Sequence, residues 1–458
     1  MPTDSPFGRL TRSAIAFPWA ISWLGVQQIV NLVAAPARGR MAAATGAFDA
    51  LTRATHERPG DWREQTWRAA KTLRRAAMDL AKVRPPSIDS SSLMRLAADS
   101  RLAPVVSATA GYVVPPLAWL DSFRIASGDA PALLREAANK LRIIQVAADA
   151  PSRLGLDKAR DEPLERAVER VAGLKPFSRF WTLEALGAWY GDRALARANG
   201  GDPEPLLGDE ATAGVPSWSL TMLHAGIGAS FAGQVIARLA PASSPAVAGK
   251  AIARFVRLCR RASRSGYAGA ALESLGFVAR AFHESLVSLL DREIPRVEPG
   301  LLGYFWHGVG RAMYFAPGNL LPSANAPRSM IADLEREAPH EFARRNALSG
   351  IAWATTLANL QDPEVMEVFL RYHGALAADA TAFVNGVSSA VAVRSLTTPD
   401  DACVRPFIDH EPRSGAAGAA AWRSLVAIPC RAALDRRARE VQQADAFEEL
   451  FHYRPGPA

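Results

Sequence analysis

Leu272-Glu273-Ser274-Leu275-Gly276 and, further along, Gly308-Val309-Gly310 are the stretches whose reading decides the fold. The first has a counterpart in Leu183-Glu184-Ala185-Leu186-Gly187 and a degenerate one in Leu348-Ser349-Gly350-Ile351-Ala352. The second is matched by Gly226-Ile227-Gly228 and, more loosely, by Gly386-Val387-Ser388. From Glu184 to Glu273 is 89 positions, and from Gly226 to Gly308 to Gly386 is 82 and then 78, so a unit of about 80 residues recurs. Glycine inside a helix costs about 0.8–1 kcal/mol relative to alanine, and its repetition needs an offset. Close helix crossing supplies one, because a missing side chain lets a neighbouring backbone approach. The alternative is a glycine needed beside a ligand.

The surroundings agree with helices. Apolar residues recur at spacings of 3 and 4, as in Leu258 and Ala262 or Leu286, Leu289 and Leu290, and alternating β-branched runs are nearly absent. Breakers fall at Pro85-Pro86 with Ser90 to Ser92, and at 151–163, 200–216, 241–245, 317–327 and 397–415. The prediction is an all-α protein of irregular helical repeats, or a multi-helix array, with a separate helical N-terminal part. Three regions are expected: an amphipathic and basic helical segment over 1–82, a helical linker domain over 92–160, and a helical-repeat domain over 165–458. A chain of 458 residues is long enough for that many units.

Charge and cysteines exclude several classes. There are 53 basic against 45 acidic residues, yet only six are Lys, an Arg-heavy usage that fits a GC-rich bacterial genome. The basic residues are scattered among acids with no run interleaved with stacking aromatics, so no nucleic-acid partner is expected. Cys259, Cys403 and Cys430 form no C-x-x-C pair and are odd in number, which points to a reducing, cytoplasmic setting. The run Ala14 to Val33 is interrupted by Pro18, Gln27, Gln28 and Asn31, too polar for a comfortable span. Its Trp19, Trp23, Val26 and Val30 form an apolar stripe, and Arg38 to Lys82 carries ten basic residues against five acidic ones. Residues 13–36 are therefore a candidate contact with an anionic membrane surface, against the plainer reading that the helix packs internally.

The candidate chemistry is concentrated in Tyr304-Phe305-Trp306-His307-Gly308-Val309-Gly310-Arg311-Ala312-Met313-Tyr314. Tyr304, His307, Arg311 and Tyr314 share one helical face, where Arg311 would hold an anionic group, His307 would move a proton and the tyrosines would wall a ligand; Trp306, in the same cluster, is a further candidate for substrate binding. His224 is a weaker echo of this arrangement. Glu184 and Glu273 each precede a glycine by three positions, so each carboxylate faces a crossing helix. Glu273 is read as acid or base beside His307, or else as a structural carboxylate bridged to Arg280 or Arg254. Asp400-Asp401 is read as a turn or cap rather than a magnesium site. No P-loop, nucleophile elbow or zinc signature is present, no metal is expected, and no cofactor is indicated.

The segment from about Trp218 to Arg394 resembles a family of proteins of unknown function found in bacterial enediyne biosynthetic gene clusters. The resemblance rests on Leu223-His224-Ala225-Gly226-Ile227-Gly228, Gly308-Val309-Gly310-Arg311-Ala312-Met313-Tyr314-Phe315 and Ser349-Gly350-Ile351-Ala352-Trp353-Ala354. It implies a role in maturing a polyene or related polyketide product, without supplying catalytic residues, and residues 1–160 depart from the shorter members. The expected function is binding or converting a hydrophobic unsaturated small molecule, with a partner biosynthetic enzyme as a candidate. The alternative is a non-catalytic helical scaffold at a membrane or lipid surface.

Overall fold

The computed structural model describes residues 129–156, 162–316, 319, 326–373, 380–443 and 446–453. Among them no strand occurs, and an isolated parallel bridge joins Leu207 to Ser263. The expected amphipathic helix over 13–36 and the basic segment over 38–82 lie outside the described residues. No helix among the described residues is long and apolar enough to cross a membrane.

The helices are α1 (Ala130–Arg153), α2 (Leu164–Ala172), α3 (Pro176–Arg197), α4 (Ser217–Ile236), α5 (Pro245–Ala262), α6 (Ala268–Phe282), α7 (Val287–Val297), α8 (Leu301–Tyr314), α9 (Ala326–Glu337), α10 (Glu341–Asn359), α11 (Pro363–His373), α12 (Ala380–Thr397) and the short α13 (Val404–Ile408). A last helical stretch, Gly415 to Gln443, is broken by π-helical turns at Arg423–Ala427 and Ala433–Arg437. Local chemistry sets several ends. Pro176 and Pro245 open α3 and α5, where the missing N–H costs nothing. Ser244 caps α5 by accepting the Val247 N–H. Gly200, at φ 94, lets the chain turn away after α3.

Among the described residues, those from 139 onward except Ala326 belong to one compact unit, which takes in the last part of α1. Asn139 Nδ2 donates to Asn359 Oδ1 (3.1 Å) and to Asp362 Oδ2 (2.9 Å). The other unit comprises 15–138 with 321–326, and its described part includes the first turns of α1.

Helices α3, α4, α6, α8, α10 and α12 pack in sequence, and the repeated glycines lie at their crossings. Within the first unit the Glu184 carbonyl faces Gly226, within the second the Glu273 carbonyl faces Gly308, and within the third the Ser349 carbonyl faces Gly386. Reciprocally, the Leu223 carbonyl lies against Gly187 and the Phe305 carbonyl against Gly276. The third unit carries Ala352 at the place of Gly276, and its methyl is among the nearest groups to Gly386. Between units, the Ala271 carbonyl faces Gly228 and the Ala347 carbonyl faces Gly310. No β-carbon fits at these places, and the helix-propensity cost of each glycine is offset by backbone contact across the crossing. The described residues thus form an all-α array of irregular repeats, with α4 and α8 buried on nearly every side.

Candidate functional site

The glycine crossing of α6 and α8 determines what surrounds Glu273. Its carbonyl rests on Gly308, so its side chain comes beside His307, one position before, and Arg311, three positions after. His307 Nδ1 lies 3.3 Å from Glu273 Oε1, and Arg311 Nη1 donates to Glu273 Oε2 at 3.1 Å. Arg311 Nη2 reaches back to Glu184 Oε1 on α3. The guanidinium also lies 4.6 Å from the centroid of the Phe277 ring and 5.3 Å from that of Trp353, cation–π distances inside the core. Four of the predicted residues, Glu184, Glu273, His307 and Arg311, are therefore brought into one network.

Burial defines its electrostatics. Glu273 and His307 are 0% exposed and Arg311 2%, while the Glu184 side chain keeps 16%. Burial alone would raise the Glu273 pKa, but Arg311 and His307 more than offset it and hold the carboxyl below its ordinary 4.5. Burial would likewise lower the Arg311 pKa; Glu184 and Glu273 reverse that and keep the guanidinium charged. A side chain without accessible surface borders no space that would hold even a water molecule, so Glu273 and His307 line no open cavity in this conformation. His307 Nε2, Arg311 Nε and Trp353 Nε1 have no hydrogen-bond partner, although the His307 and Trp353 rings meet edge to face at 5.9 Å.

The remaining predicted residues are dispersed. Tyr304 packs on His452, with ring centroids 4.4 Å apart. Trp306 Nε1 donates to Asp291 Oδ1 at 2.8 Å, and the Tyr314 hydroxyl accepts from Asn359 Nδ2 at 2.8 Å. Tyr304 and Tyr314, on one face of α8, thus meet different neighbours, for a simple reason. A helix face ten residues long passes several neighbours when the helix is buried all round, and each residue meets a different one. His224 is separate as well: its register partner across the repeat is Trp306, and its ring stacks on Tyr267 at 5.1 Å. Its Nδ1 donates to the Leu220 carbonyl (2.7 Å), and its Nε2 accepts the Arg264 N–H (3.1 Å). Burial pushes its pKa down to about 4.

Neither Arg280 nor Arg254 partners Glu273. Arg280 bonds Glu337 (2.7 Å), and Arg254 donates to the Gly200 and Gly201 carbonyls. Asp400 and Asp401 are engaged by arginines: Asp400 by Arg179 (2.6 Å), and Asp401 by Arg394 (2.6 Å) and the Cys403 N–H (3.0 Å). Among the described residues no group of three His, Cys, Asp or Glu is placed to hold a metal ion.

One pair escaped the sequence reading. Ser349 Oγ donates to Asn385 Oδ1 at 3.0 Å, across the α10–α12 crossing. Ser349 stands in the third unit where Glu273 stands in the second, and Asn385 precedes Gly386 as His307 precedes Gly308. The signal was available in the glycine alignment, but two neutral polar residues did not look like chemistry. No family model, no curated protein and no solved structure matches the chain.

Proposed function

We propose that the described repeats form a non-catalytic helical scaffold, and that Glu184, Glu273, His307 and Arg311 are its internal fastening. One observation carries this reading: the third unit fills the Glu273–His307 position with the neutral Ser349–Asn385 pair. An architectural contact tolerates that exchange, whereas acid–base chemistry would not. The full burial of Glu273 and His307 agrees, since a substrate has no route to either in this conformation. Arg311 then serves as a brace, joining the equivalent glutamates of the first and second units.

Two variants test the scaffold. Arg311→Ala leaves two carboxylates without their cation and is expected to lose about 3–5 kcal/mol, read by urea denaturation. The double variant Glu273→Ser with His307→Asn copies the third unit and is expected to fold and to complement a host lacking the gene. A double variant that folds normally yet fails to complement would overturn the scaffold and make the network a reaction centre.

A second reading has one observation in its favour. His307 Nε2 and Trp353 Nε1 are buried without partners, as they would be if a hydrophobic unsaturated intermediate were bound there when α8 and α10 part. In it Arg311 holds an anionic end of the ligand and His307 moves a proton, with Glu273 orienting it. This reading, and not the first, requires the single variant His307→Asn to abolish complementation while the fold is retained. A membrane-peripheral position belongs to residues 13–36, outside the described chain.

A further inference from the structure

Away from the network, α5 and the end of α7 border an open groove of about 580 Å³. Ala253, Val256 and Val297 form its apolar floor, and Arg257, Arg260, Arg261 and Glu298 its wall. The five α5 residues stand at helical spacings of 3, 1, 3 and 1, a single stripe of that helix.

The charges do not cancel. Arg257 Nε donates to Asp202 at 2.9 Å, Arg254 lies 4.0 Å from the same carboxylate, and Arg260 lies 3.0 Å from Glu298. Arg261 has no ion-pair partner among the described residues. The three lining guanidiniums therefore share Asp202 and Glu298, an excess of one positive charge beside an apolar floor. The negative end of the α5 dipole accounts for cations in the last turn, at Arg260 and Arg261. It does not reach Arg257, which Asp202 holds, while Val256 belongs to the hydrophobic core and Val297 packs against it.

We propose that this groove binds a single-chain anionic amphiphile, its carboxylate or phosphate head held by Arg257 and Arg261 and its aliphatic stem laid on Ala253, Val256 and Val297. The chemistry is complementary in both parts. Guanidinium forks suit planar carboxylate and tetrahedral phosphate heads, and each arginine keeps N–H donors beyond those spent on Asp202 or Glu298. The volume lies in the usual range for small-molecule sites, about 300–1,000 Å³. The inference goes beyond the scaffold reading and involves none of its residues.

Isothermal titration calorimetry on the full chain tests it, with decanoate and decyl phosphate as monomers, acetate and 1-decanol as the two halves of the ligand, and phosphatidylglycerol vesicles as a membrane source of the same head chemistry. Decanoate or decyl phosphate is expected to bind one to one, and acetate and 1-decanol each at least about ten-fold more weakly. Arg257→Glu with Arg261→Glu should weaken decanoate about ten-fold or more, and Ala253→Glu should do the same by placing a carboxylate over the floor. All three positions are exposed, so folding is expected to survive and is checked by circular dichroism. Absence of saturable binding, equal affinity for 1-decanol, affinity unchanged in the arginine variants, or binding confined to vesicles would each overturn the proposal.

Discussion

Replacing Gly276 by alanine should destabilise the array, although alanine is the better helix former. A β-carbon built at Gly276 would stand 1.8 Å from the Phe305 carbonyl oxygen, 2.7 Å from its carbon and 2.9 Å from the Val309 nitrogen. All three are backbone atoms of α8, so no side chain can swing aside. To reach the 3.4 Å at which ordinary contact begins, the crossing must open by about 1.6 Å, the difference of the two distances. Such an opening pulls apart the Glu273–Gly308 contact and the core around it, and overpacking of this kind costs about 3 kcal/mol. Helix propensity returns about 1 kcal/mol, leaving a net loss of about 2 kcal/mol or more. Gly249, in the second turn of α5, is the control. Its β-carbon would meet only Val297 Cγ2, at 3.5 Å, so Gly249→Ala should gain about 0.5–1 kcal/mol. Urea denaturation followed by circular dichroism reads both midpoints. Equal shifts, or a Gly276→Ala midpoint at or above that of the parent, would refute the view that close crossing is what these glycines are for.

Two further outcomes are expected. The folded pKa of His224 lies near 4 and its ordinary value is 6.5, so between these values the unfolded chain binds the extra proton. The associated stability is complete above pH 6.5 and is lost as the pH falls towards 4, by at most about 3 kcal/mol. Urea midpoints measured across that window should show this slope and should lose it in His224→Gln; an unchanged slope would exclude His224 as its source. Deleting residues 1–36 should lower association with anionic vesicles if the stripe Trp19, Trp23, Val26 and Val30 meets a membrane. Unchanged sedimentation with the vesicles would return that stripe to internal packing.

The glycine spacing carried more of the fold than the charges carried of the site. Gly187, Gly226, Gly276, Gly308 and Gly386 were readable as crossings because a helix tolerates glycine repeatedly only where a backbone needs the room. Tyr304, His307, Arg311 and Tyr314 were read as one face, because their helix was treated as having a single neighbour. In an array, α8 is enclosed by α6, α10 and other elements, and periodicity cannot say which neighbour takes which residue. Phe277 and Trp353, the rings against Arg311, had the same difficulty: Trp353 sat in a quoted stretch and Phe277 directly after one, and nothing in their spacing marked them as cation partners.

The partner of Glu273 was nonetheless within reach of the sequence. Arg280 and Arg254 were its partners in the structural alternative, whereas the other reading set Glu273 beside His307 and Arg311, on a glycine-bearing helix that could cross theirs closely. If Gly308 is the crossing point, the residues beside it on the same face, His307 and Arg311, are the ones a side chain at Glu273 must meet. The rule carries to the other units. At Gly386 it selects Asn385, which pairs with Ser349. At Gly226 it selects Ala225 and Ala229, neither able to satisfy a carboxylate, so Glu184 has no partner across its own crossing. The only way to keep such a charge near the core is to borrow a cation from the next unit, and Arg311 reaches Glu184 for that reason. A sequence that supplies one arginine for two glutamates in equivalent places therefore couples its units through charge as well as through glycine.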